Sequence, residues 1–332
     1  MALAANLSNF TAPHAGRQLR HDLGFLPVLW ANEEDAVLVD DVEAVPSAWK
    51  RRSKARLVDK RELRHLPLQG VEPWGWDLAL CAFLLRHGID KGLMPSADDI
   101  AQIRRLSHRR VAAALLPRLR VEGTVGETSE CEHAEEVAER VRQYEAAVLK
   151  APWSSSGRGL RFVKDTALVE GWLRNLLAAQ GSVMVEPYYH KVKDFGMEFV
   201  SDGKGRVSYL GLSLFSTANG AYTGNVLATE EAKQEMLSRY VPEAMLTQVQ
   251  QRICEHLGEE FRGRYCGPFG VDMMIVARAG GEGFLLHPCV EINLRRTMGH
   301  VALNLSPIDY DVRRVMRIEY TNENYKLIFR RL

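Results

Sequence analysis

The chain lacks most of the features that place a protein in a special class. Its 332 residues include five cysteines, Cys81, Cys131, Cys254, Cys266 and Cys289, and no two form a C-x-x-C pair. Neither a disulfide framework nor a paired-thiol zinc site is indicated, and a reduced, cytoplasmic setting is expected. No charge predominates: 43 Lys+Arg against 42 Asp+Glu leave a net charge of +1. That removes the long-range field with which basic proteins recruit nucleic acid, and no DNA- or RNA-binding signature is present. The one basic run, Lys50 to Arg56, is followed by Asp59 and Glu62 and reads as a solvated helix face. No apolar run approaches the length of a membrane span, and Met1 to Leu7 is too short and uncharged for a secretory signal. A phosphate-binding G-x-x-x-x-G-K-[ST] motif is also missing, as is any recognisable Ser-His-Asp or Cys-His grouping. What remains is an ordinary globular composition, 46% hydrophobic and 26% charged, long enough for two or three packed layers.

Two stretches carry chemistry. In the first, Asp272 lies within Gly-Val-Asp-Met-Met-Ile-Val and is followed, after the glycine-rich turn 279–283, by Glu291-Ile292-Asn293-Leu294-Arg295. Both runs read as strands, and the turn supplies the positive-φ residues a hairpin needs. Folding back there lays Asp272 beside the 289–291 region. Alternation along a strand then sets Glu291, Asn293 and Arg295 on one side, with Ile292 and Leu294 on the other. Two carboxylates, an amide oxygen and a guanidinium suit a Mg2+ ion and the phosphate oxygens it binds. In the second stretch, Lys150 ends an apolar run and leads into Ala151-Pro152-Trp153-Ser154-Ser155-Ser156-Gly157-Arg158-Gly159-Leu160. Its hydroxyls and glycines have the composition of a flexible anion-binding loop.

Together these stretches resemble the ATP-grasp superfamily over about residues 107 to 305. The family order is kept: Lys and glycine-rich loop (150–160), connecting strand (Ser182 to Tyr189), then the metal strands with Asp272 and Glu291, Asn293, Arg295. The resemblance implies an α/β chain whose ATP-grasp fold has two α+β subdomains with a nucleotide between them. It implies ATP and Mg2+ as cofactors. By the same carry-over Lys150, Ser154, Ser155, Ser156 and Gly157 would contact phosphates. Glu186 would meet the adenine amino group, with Tyr188 beside it, and Asp194 would meet the ribose hydroxyls. Asp272, Glu291 and Asn293 would hold the metal, and Arg295 and Lys150 would stabilise the transferring phosphoryl group. Family members usually carry an earlier Lys; Leu106-Ser107-His108-Arg109-Arg110 offers Arg109 or Arg110 instead, which keeps the charge and changes the geometry. The activity implied is a ligase that forms an acyl phosphate from a small-molecule carboxylate and passes it to an amine. A phosphotransferase and a non-catalytic nucleotide-binding protein are the alternatives. No nucleic acid or membrane partner is expected; a homo-oligomer is compatible with the sequence.

For organisation, residues 1–106 read as a small α/β domain and 107–332 as the ATP-grasp domain, itself divided into a loop-bearing part (107–182) and a metal-binding part (183–332). Expected elements are a helix from Pro13 to Leu23, strands at 27–30 and 36–39, a helix from Trp76 to His87 stopped by Gly88, and a helix capped by Ser96. Further on come helices at 132–144 and 166–180, strands at 183–189, 194–201 and 206–214, and one long helix from Glu230 to Leu257. Residues 216–225 read as a loop, either a substrate loop or an ordinary surface one. His190 and His300 are taken as packing or surface residues, and Cys289 as a small buried thiol.

Overall fold

The computed structural model describes residues 2–5, 14–154, 159–218 and 221–332. The N-terminal region is built on strands β1 (Ala2–Ala5), β2 (Ala36–Leu38), β3 (Arg56–Val58) and β4 (Gly70–Pro73), which form a parallel sheet in the order β3-β2-β1-β4. Helices α1 (His14–Leu23), α2 (Ser47–Arg52), α3 (Leu78–Arg86) and α4 (Ala97–Leu106) accompany it. The caps explain where the helices stand. Asp77 accepts the Leu80 N–H at 2.7 Å to start α3, Gly88 adopts φ 84° just after it, and Ser96 and Asp99 cap α4 reciprocally. The basic run falls on and after α2, which buries no residue. One expectation fails: residues Leu26–Leu29 form a 3-10 turn, not a strand. Pro27 has no N–H for a ladder, and its fixed φ suits the first turn of a helix.

Next come α5 (Arg109–Leu119), β5 (Ser129–Cys131), α6 (Ala134–Tyr144), β6 (Ala147–Lys150), β7 (Leu160–Val163), α7 (Glu170–Gln180) and β8 (Val183–Pro187). Their strands pair antiparallel in the order β5-β8-β6-β7. On one face Leu149 and Val185 pack with Val137 and Val141 of α6 and Leu173 and Leu176 of α7. Alternation turns Val148, Lys150, Met184 and Glu186 to the other face. The helix expected from Thr166 begins with a 3-10 turn at Thr166–Val169.

The third group comprises β9 (Lys191–Ser201), β10 (Val207–Ser213), β11 (Phe215–Ala218), β12 (Ala221–Leu227), α8 (Glu230–Ser238), α9 (Glu243–Phe261), β13 (Gly267–Ala277), β14 (Phe284–Asn293), α10 (Met298–Leu305), β15 (Arg314–Thr321) and β16 (Asn324–Arg331). The expected single helix is two, α8 and α9, because Pro242 sits at the start of α9 and cannot continue the preceding helix. Strands β10-β9-β13-β14 form an antiparallel sheet with Phe195, Met197, Phe199, Phe269, Val271, Met273 and Ile292 in the largest core, which α5 and α9 cover. The segment expected as a loop at 216–225 is the hairpin β11–β12, which joins β15 and β16 in a fourth sheet. Met316 of β15, Leu227 of β12 and Val301 of α10 share a core with Leu23, Val28 and Val37, so the N-terminal region is anchored onto the C-terminal strands. Among the described residues no helix is long and apolar enough to cross a membrane.

Candidate active site

The antiparallel register of β9, β13 and β14 decides which side chains meet. Asp272 pairs with Glu291 on one side and Gly196 on the other; Gly270 pairs with Asn293 and with Glu198; Met274 pairs with His287 and with Asp194. Because side chains alternate, these residues share one face, opposite the Phe195-Met197-Phe199 face buried in the core. One sheet is therefore apolar beneath and acidic above. The hairpin expected from the sequence is present, and it brings together the three metal-site candidates.

Within this face, Asn293 donates from Nδ2 to Asp272 Oδ2 at 3.1 Å, and its Oδ1 accepts from Arg295 Nη1 at 2.6 Å. Arg295 lies beyond the end of β14, yet its guanidinium reaches the cluster. Burial, then the Glu291 and Glu198 carboxylates, push Asp272 up to about 8; a nearby cation would reverse that penalty. Asp272 leans over Gly196, where a Cβ would stand 3.5 Å from Oδ1. Two carboxylates and an amide oxygen form an open set; among the described residues no group of three or more His, Cys, Asp or Glu side chains is placed to hold a metal ion by itself. This fits Mg2+, which binds through one or two carboxylates and fills its other positions with water and phosphate oxygens.

Facing the acidic floor is the polar side of the β6–β8 pair. Lys150 Nζ lies 2.5 Å from Glu186 Oε2, and both side chains are more than nine-tenths buried. His287, fully buried, has no hydrogen-bond partner for either ring nitrogen among the described residues. Burial and the neighbouring Lys150 charge hold it down at about 3, so it is a neutral imidazole. Arg109, at the first position of α5, joins the two walls. It donates from Nη1 to Ala151 O at 2.5 Å and to Ser154 Oγ at 2.9 Å, and from Nη2 to Glu291 Oε2 at 2.8 Å. Arg110 turns away to Glu130 at 2.6 Å, so of the two arginines Arg109 is in the cleft.

The other candidates are placed as follows. Ser154 stands at the root of the loop, bonded to Arg109; Ser155, Ser156 and Gly157 lie outside the described residues. Tyr188 is half exposed, with Phe162 and His190 edge-on to its ring at 6.0 and 5.5 Å. Asp194 is on the acidic face, where Oδ2 accepts from Lys191 Nζ and Thr217 Oγ1, both at 2.6 Å. Cys289 is buried and its thiol is pushed up by burial and by the nearby carboxylates, so packing is its role. Sequence reading missed Gly196, Gly270, Glu198 and His287. The signal was there for two of them: Gly196 and Glu198 follow Asp194 in alternation with Phe195, Met197 and Phe199, a polar-small stripe on an otherwise core strand. His300, read as a packing residue, is buried beside Glu198 at 3.0 Å.

Neither the family models nor the curated proteins compared with the chain give a match. Solved structures do. N5-carboxyaminoimidazole synthetase from Staphylococcus aureus, complexed with ADP, superposes with a TM-score of 0.53 at 11% identity, covering 97% of this chain and 82% of that one. Biotin carboxylase from Campylobacter jejuni, in a β-γ-ATP complex, gives 0.54 at 15% identity over 97% and 77% of the two chains. The biotin carboxylase domain of Hydrogenobacter thermophilus 2-oxoglutarate carboxylase, a dimer with MgADP, ADP and bicarbonate, gives 0.52 at 14% over 96% and 74%. These are ATP-grasp enzymes, and the chain has the ATP-grasp fold. At such identities the likeness extends to the fold alone.

Proposed function

We propose that the protein is an ATP- and Mg2+-dependent ligase that joins a small-molecule carboxylate to an amine. The observation that carries this reading is the register that sets Asp272 opposite Glu291 and one step from Asn293, on a face looking toward Lys150 and Glu186. The fold neighbours support it, since their structures hold ADP, MgADP or an ATP analogue.

Bound Mg2+ would neutralise the charge that develops on the phosphate oxygens. Asp272, Glu291 and Asn293 are the residues that would hold it. Arg295, now on the Asn293 amide oxygen, would offer its fork to the transferred phosphoryl group. Lys150 would exchange Glu186 for phosphate, which frees Glu186 to accept from the adenine amino group. Asp194 would accept from the ribose, with Tyr188 at the cleft mouth and Ser154 to Gly157 over the phosphates. Arg109 would pass from Glu291 to phosphate. The substrate carboxylate oxygen then attacks the γ-phosphorus and the bond to the ADP oxygen breaks. The resulting acyl phosphate is opened by the amine, with phosphate leaving. Positioning and charge stabilisation suffice for this chemistry, and no protein nucleophile is required. The reading places the protein with small-molecule ligases of the cytoplasm; one fold neighbour is dimeric, and a homo-oligomer is compatible with it. The residues 1–106 would then supply part of the acceptor pocket.

The test is phosphate release from Mg-ATP with pooled carboxylic and amino acids, with mass spectrometry of the products. Stoichiometric ADP, phosphate and a condensed product support the ligase; a phosphorylated product without free phosphate would make it a phosphotransferase instead.

A further inference from the structure

The acidic face carries one carboxylate that phosphoryl transfer does not use. Glu198 shares its cross-strand row with Gly270 and Asn293, one row from Asp272 and Glu291. Its side chain is 4% exposed. The fold makes space for it: a Cβ on Gly270 would come 2.6 Å from Glu198 Oε2, and one on Gly299 would overlap Oε1. Despite this placement, Oε2 has no hydrogen-bond donor among the described residues.

The surroundings worsen the position of a charged Glu198. Asp272 and Glu291 bring further negative charge, close enough that Glu198 helps to push Asp272 up. The nearest basic group is His300, with Nδ1 at 3.0 Å from Oε2. That same nitrogen accepts the Thr297 N–H at 3.1 Å in the cap of α10, and a nitrogen that accepts has no proton to give. On the other side Ser213 Oγ accepts a hydrogen bond from Asn225 Nδ2 at 2.9 Å and gives none to Oε2. Arg295 is the cation of this end, and it is engaged by Asn293. A buried carboxylate is satisfied either by a cation or by a proton of its own. A primary ammonium group brings both in turn, as a compact cation with three donors and then as a source of a proton.

We propose that Glu198 binds the ammonium group of the acceptor and removes its first proton. This rests on the ligase reading of the same cleft. The ammonium nitrogen gives a proton to Glu198 and its freed electron pair forms the C–N bond to the acyl carbon. The C–O bond to phosphate breaks with its pair on phosphate, and the second proton lost by nitrogen leaves with phosphate. The acceptor is thus an amine that is protonated in solution, and it lies at the Asn293 end of the cleft, on the far side of the metal site from Asp194.

The test separates this step from the earlier one. Wild type and Glu198→Gln are supplied with Mg-ATP, a panel of carboxylic acids, and either hydroxylamine or a pool of amino acids with ammonium chloride. Hydroxylamine is uncharged at neutral pH and needs no base, so hydroxamate reports activation of the carboxylate and also the integrity of the fold. Glu198→Gln is expected to keep hydroxamate formation to within about threefold and to lose amide formation by about a hundredfold, the range for one acid–base group. Equal loss of both products, or loss of neither, overturns the assignment, as does a wild type that forms hydroxamate but accepts no amine of the pool. No hydroxamate from any acid with the wild type would instead remove the ligase reading itself.

Discussion

Arg109 in α5 holds Glu291 of β14 at 2.8 Å, and the same guanidinium holds the root of the 150–160 loop through Ala151 O and Ser154 Oγ. One side chain thus ties the loop-bearing wall to a carboxylate of the proposed metal set. Arg109→Ala removes these charge-assisted bonds from a buried position and should destabilise the fold by roughly 1–3 kcal/mol. The urea midpoint checks this. It should also weaken Mg-ADP binding, because Arg109 is the proposed phosphate contact at the loop root. A variant with unchanged stability and unchanged affinity would mean that the bridge is incidental.

Glu291→Gln and Asn293→Ala should each lower turnover by about a hundredfold or more, the scale for losing one group that stabilises transition-state charge. Circular dichroism should show the fold intact, since neither side chain is part of the apolar core. Full activity in either variant would rule out these residues as metal ligands.

Lys150 and Glu186 make a buried ion pair in the cleft, at 2.5 Å. Lys150→Met leaves Glu186 buried without a partner and should cost about 3–5 kcal/mol. Adding Glu186→Leu should restore most of that stability without restoring turnover. A double variant no more stable than Lys150→Met would show that the two side chains are not coupled.

Asp272 gives a pH dependence. Its folded pKa, pushed up to about 8 by burial and the neighbouring carboxylates, stands above the ordinary 3.8, so the folded chain binds more protons than the unfolded one between those values. Stability from this group is therefore greatest below 3.8, falls as pH rises, and levels off above 8. Mg2+ needs the deprotonated form, so the rise in melting temperature on adding Mg2+ with ADP should grow from pH 6 to pH 8. This trend should vanish in Asp272→Asn. A metal effect independent of pH, or unchanged in the variant, would contradict the assignment.

Much of this site is legible in the sequence because its two halves are local. The glycine turn between β13 and β14 fixes the hairpin, and the spacing Glu291-x-Asn293 fixes the shared face. The Asp77 and Ser96 caps likewise depend on residues within one turn. What was not legible depends on partners far along the chain. Glu198 and Gly196 form a polar stripe that the sequence shows, but they belong to the site only because β9 pairs with β13, and the stripe does not name that partner. His287 shares the face of Glu291 by plain alternation, but it lines the cleft only because β14 comes to lie near Lys150 of another sheet. The C-terminal hairpin β15–β16 went unread although Asn322 and Glu323, both at positive φ, mark its turn; Asn suits that geometry and Glu disguises it. In α8 and α9 the apolar period runs on across Pro242, and the period hid the break.

The most direct test of the account is calorimetric titration of ADP into the protein with and without Mg2+, for wild type and Glu291→Gln. If Asp272, Glu291 and Asn293 seat a metal–phosphate headgroup, Mg2+ should tighten ADP binding to the wild type by about tenfold or more, a gain of about 1.4 kcal/mol, and the gain should disappear in Glu291→Gln. Equal ADP affinity with and without Mg2+ in the wild type, or the same gain in both proteins, would contradict it.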